Sequence, residues 1–278
     1  MSGAIDLHTH TTLSDGTCEP DQLVAIAAAA GVTALAITDH EHVEACDRAA
    51  AAARWAGVTL IPGVELDAAC DRGILHILGY GVDPACGVLR GRLAALRAAR
   101  VARNEALCAA LARTVGWIDL AEVGAAERLP LHQISVRHIV KALVREGHCD
   151  DREAAADDVA RCAVRPLAKP DAATCIAWIR DAGGAAVWAH PSTVCAAGAA
   201  DRAAMIRTLA RHGLEGVEVI HPSHPPALEE ELLGLAADAG LLATGGSDYH
   251  GARRPGRTLG IRHRRVARAV ESLAGGRA

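Results

Sequence analysis

The sequence of 278 residues contains no phenylalanine, and only 2% of its residues are aromatic. A hydrophobic core must therefore be built mainly from alanine, leucine, valine and isoleucine. The four tryptophans are dispersed along the chain, so they do not form the aromatic platform on which single-stranded nucleic acids stack.

Neither a dominant charge nor a paired-cysteine motif is present. The formal net charge of -4 argues against a general polyanion-binding surface, although a local basic pocket is compatible with it. The nine cysteines include no Cys-x-x-Cys pair, which excludes zinc-ribbon and thioredoxin-like motifs. No apolar run reaches the roughly 18 residues that span a membrane, and no signal peptide is evident. We therefore expect a cytoplasmic protein with reduced thiols.

Short apolar segments alternate with helical segments rich in alanine and leucine. The predicted strands are 4–7, 34–38, 59–66, 74–78, 185–189, 217–220 and 241–244. Proline opens and glycine closes several of the intervening helices, as in 20–31. The alternation predicts an α/β fold with a parallel sheet. Because polar residues recur at the strand ends, a barrel with its chemistry at the carboxyl ends is favoured over an open sheet.

Residues 88–165 interrupt this alternation with three helix candidates, 88–114, 135–146 and 150–162. We interpret this segment as a helical insertion that caps the substrate site of a barrel formed by 1–87 and 166–278. The arginine-rich part of the insertion could attract nucleic acid. A solvated helix face is the simpler interpretation, and no stable nucleic-acid partner is expected.

His8 and His10 are two apart at the end of a predicted strand, so both imidazoles can reach one ion. Such a pair alone is a weak motif. Asp15 follows in a Ser-Asp-Gly turn, and the later strands add further candidate ligands: His40, Glu65, His76, His190, Asp248 and His250. Mixed imidazole and carboxylate ligands suit manganese, zinc or iron better than calcium or magnesium. Nine ligands exceed the about four that one zinc ion needs, so we predict two or three divalent metals, with manganese expected and zinc or iron as alternatives.

Two metals about 3.5–4 Å apart are typical of hydrolytic displacement at phosphorus. A metal-bound hydroxide would then be the attacking group, which fits the lack of a Gly-x-Ser-x-Gly nucleophile motif. The general acid stays unassigned between His190, Asp248 and another residue near the metals. For His221, which also ends a predicted strand, a structural role and a site contact remain equally open.

The order of these motifs resembles the PHP (polymerase and histidinol phosphatase) domain family. The matching segments are Ile5-Asp6-Leu7-His8-Thr9-His10, Ser14-Asp15-Gly16, Ile37-Thr38-Asp39-His40, Pro62-Gly63-Val64-Glu65, His76-Ile77-Leu78-Gly79, Ala189-His190-Pro191 and Gly246-Ser247-Asp248-Tyr249-His250. The resemblance implies a distorted (β/α)7 TIM-like barrel with a trinuclear metal centre. It assigns the ligands of the first metal as His8, His10, Glu65 and Asp248. It also makes Glu65 the bridge to a second metal on His76 and His190, with a third on Asp15, His40 and His250.

The size of the chain and its insertion most resemble stand-alone phosphoesterases of this family, related to nucleoside 3′,5′-bisphosphate phosphatase and a 5′-3′ exoribonuclease. This resemblance implies a cationic pocket for a substrate phosphate, formed by Arg137, His138, Lys169 and His224. Val136 departs from the family pattern, which usually has arginine there, and this affects the expected substrate preference.

The expected reaction is removal of phosphate from a small nucleotide such as a nucleoside 3′,5′-bisphosphate, or trimming of a short 5′-phosphorylated RNA. Histidinol phosphatase is the alternative within the family. A non-catalytic PHP interaction module is the alternative of another class, which the complete set of ligand positions disfavours.

Overall fold

A computed structural model describes residues 3–194 and 198–274, and Cys195 of the cysteine set lies outside them. The strands are β1 (Ala4–Asp6), β2 (Val32–Ile37), β3 (Thr59–Cys70), β4 (Gly73–Tyr80), β5 (Ala185–Trp188), β6 (Gly216–Ile220) and β7 (Leu242–Gly245). All seven correspond to predicted strands, and β3 and β4 are longer than predicted.

The strands form one sheet in the order β1-β2-β3-β4-β5-β6-β7. The pairs β1–β2, β2–β3, β5–β6 and β6–β7 are parallel, whereas β3–β4 and β4–β5 are antiparallel. The expectation of a parallel sheet is therefore wrong at its centre. Only Asp71 and Arg72 connect β3 to β4, and a parallel crossover needs about a dozen residues.

The chain after β1 is hydrogen-bonded to β7 and the segment that follows it. The amide of Leu7 donates to the carbonyl of Gly245 at 3.2 Å, and the amide of His10 donates to the carbonyl of Tyr249 at 2.9 Å. The α/β class with a seven-stranded, mostly parallel sheet is confirmed. Full closure into a barrel stays a prediction.

Ten helices are present in the described residues. They are α1 (Pro20–Ala29), α2 (Ala45–Ala56), α3 (Gly87–Leu111), α4 (Leu120–Glu127), α5 (Val136–Arg145), α6 (Arg152–Arg161), α7 (Ala172–Asp181), α8 (Ala199–Arg211), α9 (Pro226–Asp238) and α10 (Arg264–Ala274). Helix α2 ends at Gly57, whose φ of 68° is the left-handed conformation that glycine adopts most readily. Helices α4 and α10 were not predicted.

Two buried clusters fix the strands that carry the site. One joins inward residues of β1 to β5, such as Leu78 and Val187, to Val266, Ala269 and Leu273 of α10. The other packs β1 and β2 against α1 and α2. Because side chains alternate along a strand, Ala34 and Ala36 face the first cluster while Leu35 and Ile37 face the second.

The chain divides into two compact units, Met1–Gly91 with Lys169–Ala278, and Arg92–Ala168. The second unit has its own apolar cluster, which includes Leu111, Ile139 and Leu143. The insertion was predicted at 88–165, and its role as a cap stays a prediction.

Two further properties concern the described part of the chain. Its eight cysteines are free thiols. No helix in it combines the length and the apolar character needed to cross a membrane.

Candidate metal centre

Glu65 lies at the middle of a cluster of imidazoles. Its Oε1 atom is 2.8 Å from Nδ1 of His76 and 3.1 Å from Nε2 of His190. The carboxylate is buried, and the two histidines come from β4 and from the turn after β5. One oxygen of Glu65 therefore faces one pair of imidazoles.

The other oxygen of Glu65 faces a different set. Its Oε2 atom is 3.2 Å from Nε2 of His10, 3.3 Å from Nε2 of His8 and 3.4 Å from Nδ1 of His40. Burial alone would raise the pKa of Glu65, but the nearby charges of His8 and His76, whose own pKa values are raised, hold it well below its ordinary value. An ionised carboxylate with an imidazole group on each oxygen has the geometry of a bridging ligand.

Asp15, His10, His40 and His250 form an adjacent group, in which the possible ligand atoms lie within 4.8 Å of one another. Oδ1 of Asp15 is 3.2 Å from Nε2 of His250 and 3.6 Å from Nδ1 of His10. The rings of His10 and His250 stack with centroids 4.1 Å apart. Burial lowers the pKa of His40 to about 4, which keeps this imidazole neutral and able to bind a metal.

Asp248 completes the set of nine positions beside His8 and His10. Its Oδ1 atom is 3.6 Å from Nε2 of His8 and 3.4 Å from Nε2 of His10. Asp248 and His190 have positive φ angles of 49° and 28°, which are strained for residues other than glycine. Such strain concentrates at functional sites, where the surrounding structure holds it in place.

The donor set fits divalent cations. Nε2 of His10, Oδ1 of Asp15 and Nε2 of His250 are buried atoms without a hydrogen-bond partner of normal geometry in the described residues. Buried polar atoms in this condition are costly unless another group, such as a metal ion, satisfies them. The sequence prediction and the structure therefore place all nine residues in one cluster.

The sequence pattern suggested that all nine residues follow strand ends, but Glu65 and His76 lie inside strands. Glu65 pairs with Leu78 and Asp67 pairs with His76 in the β3–β4 ladder, which continues to Cys70. Strand β3 extends beyond the site because it turns back as a hairpin instead of crossing over.

The sequence reasoning gave no role to Glu218, which is fully buried in β6. Its Oε1 atom accepts a hydrogen bond from Nδ1 of His8 at 3.0 Å, and its Oε2 atom accepts one from the amide of His190 at 2.8 Å. Burial alone would raise the pKa of Glu218, but His8, His221 and His190 lower it to about 2. A carboxylate between two apolar residues of a strand was the available indication in the sequence.

Asp67 was also not predicted as a site residue, although it lies two residues after Glu65 on the same strand face. Its Oδ1 atom is 3.1 Å from Nε2 of His76, and its Oδ2 atom forms an ion pair with Lys169. Lys169, predicted to bind a substrate phosphate, therefore already has a carboxylate partner.

The other predicted phosphate ligands occur in different surroundings. His224 is buried, donates from Nδ1 to the carbonyl of Val219 at 2.7 Å, and lies with its ring 5.3 Å from that of His221. In the second unit, Nδ1 of His138 accepts from the amide of Ser135 at 3.0 Å and so caps α5. Arg137 is exposed in that unit. Their binding of substrate stays a prediction.

Close backbone contact brings the segment after β7 against β1. A Cβ atom on Gly246 would lie 2.4 Å from the backbone nitrogen of His8, so only glycine fits. The buried carboxylate of Asp6 accepts hydrogen bonds from the amides of Ser247 and Gly260, both at 2.9 Å. These contacts position Asp248 beside His8.

The loop that carries Asp15 is held by Asp39, which is fully buried. Asp39 accepts hydrogen bonds from the amide of Thr11 at 2.7 Å, from the hydroxyl of Thr11 at 2.5 Å and from the hydroxyl of Ser14. Asp39 is therefore a structural support for one side of the cluster.

We expect Asp39→Ala to lower the free energy of unfolding by about 3 kcal/mol, because it leaves buried donors unsatisfied. Urea unfolding of the metal-free protein would measure this loss, with Asp238→Ala as the control because Asp238 is exposed on α9. Equal unfolding midpoints for the two variants would contradict the role given to Asp39.

The chain matches known proteins over most of its length. Residues 6–149 match the family model of the PHP domain. A 3′,5′-nucleoside bisphosphate phosphatase of Chromobacterium violaceum is 32% identical over 92% of this chain and 90% of its own length. The 5′-3′ exoribonuclease Rnm of Salmonella typhimurium is 31% identical over 88% of this chain and 84% of its own. A phosphoribosyl 1,2-cyclic phosphate 1,2-diphosphodiesterase of Eggerthella lenta is 30% identical over 88% and 94%.

Solved structures also match this chain over nearly its whole length. A protein of Bifidobacterium adolescentis assigned as a metal-dependent phosphoesterase has a TM-score of 0.77 and 31% identity, with 98% of this chain and 97% of its own covered. An amidohydrolase of Chromobacterium violaceum, solved with bound sulfate and no metal, has a TM-score of 0.76 and 29% identity over 97% and 96%. The chain therefore belongs to the PHP domain family, and it is a phosphoric ester hydrolase.

Proposed function

We propose that this enzyme removes a phosphate from a small nucleotide, such as a nucleoside 3′,5′-bisphosphate, with two or three divalent metals. The observation that carries the proposal is the position of Glu65, whose two oxygens face separate groups of imidazoles. Manganese is the metal we expect, since imidazole and carboxylate ligands are mixed in the cluster.

The nine clustered residues would hold the metals. In the proposed arrangement, the first metal has His8, His10, Glu65 and Asp248, the second has Glu65, His76 and His190, and the third has Asp15, His40 and His250. When bound, such ions supply an activated water and neutralise charge on the phosphoryl oxygens. Glu218 would keep the ring of His8 oriented, because it accepts a hydrogen bond from Nδ1 and leaves Nε2 facing Glu65.

The leaving oxygen needs a proton donor, and Asp248 is a poor one. Its Oδ2 atom already accepts from Arg257 at 2.8 Å and faces Nε2 of His221 at 3.3 Å. Burial alone would raise the pKa of Asp248, but His8, His10 and His221 hold it far below its ordinary value. An ionised carboxylate cannot donate a proton. Burial lowers the pKa of His190, which keeps this imidazole mainly neutral, so the proton donor stays unassigned.

The nucleotide class rests on the relatives. The phosphatase relative is named for nucleoside bisphosphates, and its similarity extends over 92% of this chain, including the second unit. We expect Arg137 and His138 of that unit to bind substrate, as the family resemblance implies.

Removal of divalent metals is expected to abolish phosphatase activity, and added manganese should restore it. The measurement is phosphate release from adenosine 3′,5′-bisphosphate before chelation, after chelation and after addition of manganese. Full activity in the metal-free protein, with metal content checked by mass spectrometry, would contradict the proposal.

Exoribonuclease activity is the second candidate, since the Rnm relative carries that name. A parallel screen of short 5′-phosphorylated RNA, a 1,2-cyclic phosphate of ribose and histidinol phosphate separates the alternatives. The bisphosphate should give the highest kcat/KM. A higher kcat/KM for RNA would favour exoribonuclease activity. A higher kcat/KM for histidinol phosphate would favour histidinol phosphatase activity.

A further inference from the structure

Three arginines follow His250 within one short segment. We call residues 251–257 the arginine loop, and its arginines are Arg253, Arg254 and Arg257. All three contact residues that belong to the proposed metal centre, although none was selected by the sequence reasoning.

Two of these arginines have structural partners. Nε of Arg253 donates to the backbone carbonyl of Asp15 at 2.7 Å. Nη1 of Arg257 donates to the carbonyl of Ser247 at 2.9 Å, to the carbonyl of Asp248 at 3.2 Å and to Oδ2 of Asp248 at 2.8 Å. Arg257 therefore fixes both the backbone and the carboxylate of Asp248.

Arg254 is more exposed than Arg257, and its contact with Asp248 duplicates the contact that Arg257 makes. Its Nη1 atom pairs with the same Oδ2 atom of Asp248, but 40% of its side chain is exposed, compared with 20% for Arg257. Because Arg257 already orients Asp248, this carboxylate does not require Arg254. Two guanidinium groups share one carboxylate oxygen, which leaves a positive charge in excess at an open edge of the cluster.

Lys169 offers a useful contrast. Its ammonium group pairs with Asp67, and only 16% of the Lys169 side chain and 19% of the Asp67 side chain are exposed. One cation and one carboxylate balance each other there. Compared with Lys169, Arg254 is therefore the better placed to bind an anion from solution.

We propose that Arg254 binds the second phosphate of the substrate, the one that is not hydrolysed. A guanidinium group presents two parallel donors that match phosphate oxygens, and it stays charged at all relevant pH values. This inference rests on the proposed function, in which the metals hold the phosphate that is cleaved. It makes a substrate with two phosphate groups, separated by a small spacer such as ribose, the preferred class.

The experiment compares Arg254→Ala and Arg254→Lys with the unmodified enzyme on adenosine 3′,5′-bisphosphate and on p-nitrophenyl phosphate. A lost charge-assisted hydrogen bond should raise KM for the bisphosphate about 10-fold to 100-fold. The ratio of kcat/KM for the bisphosphate to kcat/KM for p-nitrophenyl phosphate should fall at least about tenfold, with partial recovery in Arg254→Lys. Arg211→Ala is the matched control, since Arg211 is exposed on α8 and contacts Thr208.

Two further measurements keep the outcomes distinct. Metal content per chain should be unchanged in Arg254→Ala, and calorimetric titration of the metal-free protein with adenosine 3′,5′-bisphosphate should show the same loss of affinity. Equal losses on both substrates together with lost metal would show that Arg254 positions Asp248, and would overturn the proposal. An unchanged ratio and unchanged affinity would also overturn it. If the unmodified enzyme hydrolyses neither substrate, the proposed function fails, while the titration still tests Arg254.

Discussion

Glu65→Ala is expected to lower kcat at least about 1000-fold, because it removes the proposed bridge between two metals. Each oxygen of Glu65 faces its own imidazoles, so the variant loses a contact on both sides of the cluster. Metals in hydrolytic sites stabilise transition-state charge by several kcal/mol, and about 4 kcal/mol corresponds to a factor of about 1000. Metal content per chain should fall together with the rate.

His10→Ala should have a comparable effect, since Nε2 of His10 faces both Glu65 and Asp248. The measurements are kcat with added manganese and metal content by mass spectrometry. Glu230→Ala, an exposed change on α9, is the control. If both His10→Ala and Glu65→Ala kept metal-dependent hydrolysis within tenfold of the unmodified enzyme, the proposed centre would be wrong.

Replacing Glu218 should weaken metal binding although Glu218 is not proposed to touch a metal. Its carboxylate accepts hydrogen bonds from Nδ1 of His8 and from the amide of His190. The backbone of His190 is strained. Loss of a carboxylate that orients a histidine ligand typically costs about 10-fold to 100-fold in metal affinity or activity. We expect about 100-fold for Glu218→Ala and about 10-fold for Glu218→Gln, which keeps the shape and one acceptor.

Metal affinity measured by titration separates this positioning role from a purely structural one. Thermal unfolding of the metal-free proteins shows how much stability each Glu218 variant loses. Should Glu218→Gln match the unmodified enzyme in metal affinity while losing stability, Glu218 would be only a core residue. Glu218→Asp tests the distance, since its shorter side chain cannot reach both His8 and the His190 amide without a backbone shift.

The sequence was most informative where local chemistry and strand periodicity agreed. His8 and His10, two apart after an apolar segment, lie together in the structure, and all seven strands were predicted from apolar runs. The predicted set of nine residues came partly from family resemblance, which supplied an order that spacing alone could not. The antiparallel β3–β4 pair was missed although the residues left between the two predicted strands, 67–73, are fewer than the about a dozen that a parallel crossover needs.

Residues that support the site were harder to find. Glu218, Asp67 and Asp39 act through partners that are distant in sequence, such as His8, which is 210 residues from Glu218. A charged residue in an apolar strand indicates that a partner exists, but only the folded sheet shows which one. Arg254 was also not identifiable from the sequence. Its excess charge depends on Arg257, which lies beside the same Oδ2 atom of Asp248.

The β3–β4 hairpin has a consequence for local unfolding. Glu65 and His76 sit inside a continuous ladder of eight residue pairs, whereas Asp15 and His250 lie outside the strands. Amide protons in a central ladder exchange with solvent only through large openings, while segments outside the strands open at lower free energy. We expect Glu65 and His76 to keep their positions in the metal-free protein, so that each loading event has to order only the ligand residues outside the strands.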